Sequence, residues 1–293
     1  MPDLAFAFVL SSTAPPREAS ILAESIRTFG GAFAGSRILA LVPEGNLPWV
    51  PAGVEAVTYA MGPAERAFPL ADKPLACAAA EAAVEGCAHL LVFLAPDSVV
   101  VQEPLELILP AGAGLGCRPV DLALIGPRWD QPVTPYWRAV YQFCETPVER
   151  LFPVVSSVDQ VRLRAYFNAG MMVVRPERGL LRRWAHNFLR HYRRPDFKAF
   201  CREDEAYAIC LHQAMLAGTA LAMLEPHEIH LLPAWVNYPL HLHDQYPAEL
   251  RPPTVNDLIT FRSDDYSCDP TWLRRLPVRE PLRSWLAERL NRP

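Results

Sequence analysis

The sequence predicts an α/β protein with a mostly parallel sheet covered by helices, and three observations carry that expectation. Short apolar runs alternate with segments of helical period through the first hundred residues. The connections between them are brief, as in doubly wound sheets. The third is the stretch HLLVFLAPDSVVVQE, residues 89–103, where an apolar run Leu90–Leu94 breaks at Pro96, carries one carboxylate at Asp97 and resumes as Val99–Val101. That is a buried strand delivering one acid to its end.

In chain order, Leu4–Leu10 is a first strand, Ser11-Ser12-Thr13-Ala14-Pro15-Pro16 a breaker, and Glu18–Phe29 a helix with Ile21, Leu22, Ile26 and Phe29 at helical spacing. Arg37–Val42 and Val54–Tyr59 follow as strands, then Asp72–Val84 as an alanine-rich helix that Gly86 can end. Pro135–Cys144 is an aromatic-rich helix, core or cleft wall. Tyr166–Arg175 turns at Asn168-Ala169-Gly170 and enters a strand, after which Glu177–Tyr192 is amphipathic. Glu203–Leu216 is a further helix, with Asp204 and Glu205 placed to cap its amino terminus. Thr219–Leu224 and Glu228–Leu232 are expected as short strands, Leu258–Arg262 as the last strand, and Pro281–Leu290 as a docking helix.

Length and composition set outer bounds. At 293 residues, 51% hydrophobic and 20% charged, the chain can bury a sizeable core in one continuous body. We expect a single domain over 1–293, with a first half at 1–110, a second at 111–262 and a C-terminal helical extension at 263–293. No stretch has the apolar length of a membrane span, and the start lacks the signature of a signal peptide, which predicts a cytoplasmic protein. Seven cysteines without a C-x-x-C pair fit a reducing compartment. A net charge of −4 argues against nucleic acid as a partner, and the pairs Arg182-Arg183 and Arg193-Arg194 are expected to be solvated helix faces.

The common catalytic signatures are absent: no P-loop, no G-x-S-x-G elbow, no H-E-x-x-H helix. Gly112, Gly114 and Gly116 precede a strand-like run instead of a helix, so they do not form a dinucleotide fingerprint. His241-x-His243 beside Asp244 admits a metal site, but a surface loop fits better because ligation needs partners the spacing does not supply. Asp97 admits two roles, the cap of a turn or the acid of a ligand crevice at a strand end.

Four segments resemble the nucleotide-sugar transferases of the GT-A fold, especially glycosyltransferase family 8: FAFVLSST with the helix after it; DKPLACAAAEAAVEGCAHLLVFLAPDSVVVQEP; YFNAGMMVVRPERGLLRRW; and DEAYAICLHQAML with the later VNYP. The resemblance implies a central mixed, mostly parallel sheet flanked by helices. It also implies transfer of a sugar from a nucleoside-diphosphate-sugar donor to a glycan or other acceptor, or else a non-catalytic relative that binds a nucleotide or glycan. In the family two aspartates flanking one residue hold a divalent metal; here the site reads Ala95-Pro96-Asp97, and the family's late metal-binding histidine would fall within residues 259–262, where none stands. Asp97 is thus the one candidate ligand for Mn²⁺ or Mg²⁺, and Lys73 or Arg262 is expected to neutralise the diphosphate instead. The resemblance further assigns Ser11, Ser12 and Thr13 to the base or ribose, and Asn168 and Gly170 to the donor sugar or acceptor. Asp204 and Glu205 fall to sugar hydroxyls or the anomeric centre, and Trp235, Asn237 and Tyr238 to an acceptor wall. His212 and Gln213 add polar groups to the cleft. Donor base, sugar, acceptor and oligomeric state stay open.

Overall fold

The structure, a computed structural model, describes residues 3–10, 16–45, 49–264 and 276–290. Ser11, Ser12 and Thr13 lie outside the described residues. In chain order the elements are β1 (Leu4–Val9), α1 (Pro16–Phe29), β2 (Arg37–Pro43), β3 (Glu55–Tyr59), α2 (Pro63–Arg66), α3 (Asp72–Val84), β4 (Leu90–Leu94), β5 (Ser98–Val100) and β6 (Leu115–Pro119). There follow α4 (Pro135–Cys144), β7 (Pro153–Val155), β8 (Arg162–Arg164), β9 (Phe167–Val174), α5 (Leu180–His191), α6 (Pro195–Glu203), α7 (Glu205–Met223), β10 (Ile229–Leu231), β11 (Tyr238–Pro239), β12 (Thr260–Arg262) and α8 (Leu282–Leu290).

Seven strands form the main sheet in the order β10-β6-β9-β4-β1-β2-β3. Every neighbouring pair is parallel except those made by β9, which runs antiparallel to both β4 and β6. The central strands read as unbroken apolar runs because each serves two cores. Ala5, Ala7 and Val9 of β1 join Leu91 and Phe93 of β4 on one face, under α3, α4, α5 and α7. Phe6 and Phe8 join Leu90, Val92 and Leu94 on the other, under α1. Burying each of the Phe, Leu and Val side chains among them contributes about 1.5–3 kcal/mol relative to exposure.

After β4 the chain leaves the main sheet. Ala95-Pro96-Asp97 turns it into β5, which belongs to a second sheet of order β11-β12-β5 with its own core around Tyr238, Phe261 and Trp285. The turn is tied to both sheets: Ala95 N–H donates to Gly170 O at 2.7 Å and Ser263 N–H to Asp97 O at 3.3 Å. Asp97 therefore stands on the seam between two sheets. A β-bulge lies beside it. The β6–β9 ladder jumps from Cys117–Met172 to Pro119–Phe167, so residues 168–171 face Arg118 alone, and bulges of this kind re-aim side chains.

Two expectations are corrected here. Thr219–Leu224 is not a strand, because α7 runs unbroken to Met223; it is buried around most of its circumference, so it lacks the polar face that marks a helix in sequence. A separate helix, α6, precedes it, and the helix expected from Glu203 begins only after Asp204. Among the described residues α7 is the one helix long and apolar enough to cross a membrane, and it packs inside the body against α4, α5, α6 and β9.

Candidate functional site

Three cationic or acidic groups arrive at the seam from three directions. Asp97 comes from the turn after β4, Lys73 from the first turn of α3, and Arg262 from the end of β12; each is half-buried. Burial raises the pKa of Asp97; Arg262 and Lys73 pull it back down, while Asp264 pushes it further up. For Lys73 burial lowers the pKa, and Cys77, Asp72 and Asp97 oppose that shift. Burial also works against the charge on Arg262, yet Asp121, Asp97 and Asp264 outweigh it and leave the guanidinium above its ordinary value. Asp97, Lys73 and Arg262 thus feel one another, and that mutual field makes them one electrostatic unit.

Below the seam a buried network fixes this arrangement. Asp121, on the loop after β6, accepts hydrogen bonds from Arg262 Nη2 at 2.5 Å and from Asn168 Nδ2 at 2.8 Å. Asn168 Oδ1 in turn accepts from Gly170 N–H at 2.7 Å and from Asn237 Nδ2 at 3.5 Å. Gly170 leaves room for this: a Cβ there would meet Asn168 Oδ1 at 2.8 Å, with Arg262 Cδ next at 3.7 Å. Asn237 has a left-handed backbone, φ 52°, which asparagine tolerates better than most residues. Its loop is pinned by the buried Arg118, whose guanidinium donates to Val236 O at 3.0 Å, Asn237 O at 3.3 Å and Ser157 Oγ at 2.7 Å. Three polar atoms around the seam are buried without a partner: Arg262 Nε, Asn237 Oδ1 and Ser98 Oγ. Buried polar groups are rarely left so, and these three come together around one turn.

The candidates divide. Lys73, Asp97, Asn168, Gly170, Asn237 and Arg262 converge. His212 lies beneath them: its pKa is held well below the ordinary range by burial and then by Lys73, and its Nδ1 lies 2.9 Å from Ile209 O. Gln213 is a brace for β9, accepting from Ala169 N–H at 3.0 Å and donating to Tyr166 OH at 2.8 Å. Asp204 caps α7 through Ala206 N–H at 2.8 Å and Glu205 is exposed beside it, so the helix-capping role accounts for this pair. The expected acceptor wall is split. Asn237 faces Asn168, whereas Trp235 and Tyr238 line a separate recess of about 210 Å³ with residues 249–253, and the Tyr238 hydroxyl meets His243 Nδ1 at 2.9 Å.

Sequence reasoning missed Asp121 and set His241 aside as part of a surface loop. Asp121 ends the β6 segment as Asp97 ends β4, so the same strand-end rule would have found it. His241 is no surface-loop residue: it is half-buried, its pKa lowered by burial and by Arg262 and raised by Asp264, Asp121 and Asp97, with Nε2 3.7 Å from Asp264 Oδ2. Its neighbour His243 points into the small core instead.

These donors do not fit a carboxylate-held divalent cation. Asp97 is the one acid of its turn, Asp121 is already bonded to Arg262 and Asn168, and Asp97 faces an ammonium and a guanidinium. Among the described residues no group of three or more His, Cys, Asp and Glu side chains is arranged to hold a metal. A hard divalent ion needs several oxygen ligands, and here the local cations are the protein's own.

A family model described as the Rhodobacterales glycosyltransferase domain matches residues 6–217, from β1 into α7. No curated protein matches the chain. Among solved structures the chain is similar to the galactosyltransferase LgtC, crystallised in complex with donor and acceptor sugar analogues, at 16% identity over 98% of this chain and 93% of that one, with a TM-score of 0.47.

Proposed function

Because the chain belongs to the Rhodobacterales glycosyltransferase domain family, we propose that the seam at Asp97 binds a nucleoside-diphosphate sugar and that the protein transfers its glycosyl group to an acceptor. The observation that carries this reading is the convergence of Lys73 and Arg262 on Asp97, beside unpartnered polar atoms. Glycosyl transfer breaks the bond between the anomeric carbon and a phosphate oxygen, and the electron pair goes to the departing diphosphate. Charge therefore grows on the diphosphate, and fixed cations placed there stabilise the transition state more than the ground state. Lys73 and Arg262, whose Nη2 pairs with Asp121 and Nη1 with Asp264 while Nε has no partner among the described residues, supply that charge from the chain itself, so binding does not require Mn²⁺ or Mg²⁺. Asp97 and the Asn237 Oδ1 accept from sugar or ribose hydroxyls. Asn168, whose amide is committed to Asp121, Gly170 and Asn237, positions these groups instead of contacting the sugar.

The test is a panel of nucleoside-diphosphate sugars, assayed for release of the nucleoside diphosphate. The expected result is turnover of at least one donor that Asp97→Ala abolishes while the nucleotide still binds. Binding without turnover for every acceptor and for water would support the alternative, a non-catalytic nucleotide-binding relative, which the substitution of Ala95 for an acid favours. Turnover by Asp97→Ala at the wild-type rate would place the chemistry elsewhere.

A further inference from the structure

A second recess, sharing no residue with the seam, is lined by Phe143 and Glu145 from the end of α4 and by Arg183, Arg190, His191 and Arg194 from α5 and the turn after it, with a volume of about 370 Å³. We propose that it binds the phosphate group of an anionic ligand. Three guanidinium groups face it against one lining carboxylate, Glu145, which pairs with Arg183 at 3.3 Å. Arg194 reaches Asp196 at 3.7 Å, and no ion pair or hydrogen bond occupies the Arg190 side chain among the described residues. The recess is ordered by stacking: the Arg194 guanidinium lies 4.2 Å from the Phe143 ring centre, and the His191 imidazole stacks on the same ring at 4.8 Å and 18°.

His191 supplies an independent observation. It is 7% exposed, lines the recess, and its Nδ1 is buried without a hydrogen-bond partner. A ring nitrogen beside a cluster of guanidinium groups, with no acceptor provided by the protein, matches a ligand oxygen. Planar guanidinium forks bind phosphate oxygens in pairs, which is why arginine prevails in such sites. The recess is too small for a folded partner and ample for one phosphate with the group it esterifies. A soluble phosphorylated compound and the headgroup of an anionic lipid both offer that chemistry.

The experiment titrates the full chain with inorganic phosphate, followed by calorimetry, and measures co-sedimentation with phosphatidylcholine vesicles with and without phosphatidylglycerol. Arg190→Ala and Arg194→Ala are expected to weaken phosphate binding about tenfold each, as the loss of one charge-assisted contact implies, while nucleoside-diphosphate binding at the seam stays unchanged. Lys73→Met separates the two sites, because phosphate bound in the recess survives it. Phosphate binding with no gain on phosphatidylglycerol vesicles assigns a soluble ligand; co-sedimentation that requires phosphatidylglycerol and fails in Arg190→Ala assigns a lipid. Absence of binding to either probe, or binding lost in Lys73→Met and retained in both arginine variants, overturns the proposal.

Discussion

At the residue scale the site works through charges held in partial burial. Burial lowers the pKa of Lys73, so it releases its proton at lower pH than a free lysine. A bound diphosphate favours the protonated form, hence nucleotide affinity is full below this lowered pKa and falls as pH rises through it. A pH series of nucleoside-diphosphate affinity should show that alkaline loss, and Lys73→Arg should move it to higher pH; a flat profile in the wild type would remove Lys73 from the site. Arg262 has two roles that one substitution confounds. Arg262→Met leaves the buried Asp121 uncompensated, and breaking a buried pair costs about 3–5 kcal/mol, read as a lower melting temperature. Arg262→Lys keeps the charge but not the fork, so it should recover part of the nucleotide affinity. Asp97 was legible as a candidate because it ends an apolar run, whereas Lys73 and Arg262 entered only through the family resemblance. Asp121, two residues past the end of β6, was open to the same strand-end rule, but its partners Asn168 and Arg262, far away in sequence, show only once the chain is folded.

At the scale of elements, the β9 bulge and the helix starts decide which side chains meet. Gly170→Ala would push its methyl against Asn168 Oδ1, and we expect a loss of about 1–3 kcal/mol in stability together with weaker nucleotide binding, since Asn168 anchors Asp121. Asp204→Ala should behave differently. Removing an N-cap costs about 1 kcal/mol, visible in denaturant unfolding, with nucleotide affinity unaltered. A large loss of affinity in Asp204→Ala would return that acid to the site. The elements themselves were largely readable: β1, β2, β4, α3 and α4 follow their apolar periods closely. The errors fell where period fails, in the all-round apolar α7 and in the connection from residue 193 to 204, whose helix α6 buries only Phe197 and so leaves a weak pattern. The bulge that aims Asn168 has no sequence signature of its own.

At the scale of the whole molecule, two sheets meet along one seam, and the seam gathers the ends of β4 and β12 with the starts of β9 and α3. Parallel strands leave their carboxyl ends on one edge, which is where open α/β sheets place ligands, and here the second sheet closes over that edge. Local charge decides the outcome: a net charge of −4 says nothing of a crevice carrying Lys73 and Arg262, or of a recess carrying three arginines. The most direct measurement is calorimetric titration of a panel of nucleoside diphosphates into protein stripped with EDTA. The account predicts that at least one nucleotide binds without added metal and that Lys73→Met weakens it by about tenfold, the loss of one charge-assisted contact. Binding that appears only when Mn²⁺ or Mg²⁺ is restored, and that Lys73→Met leaves intact, would contradict it.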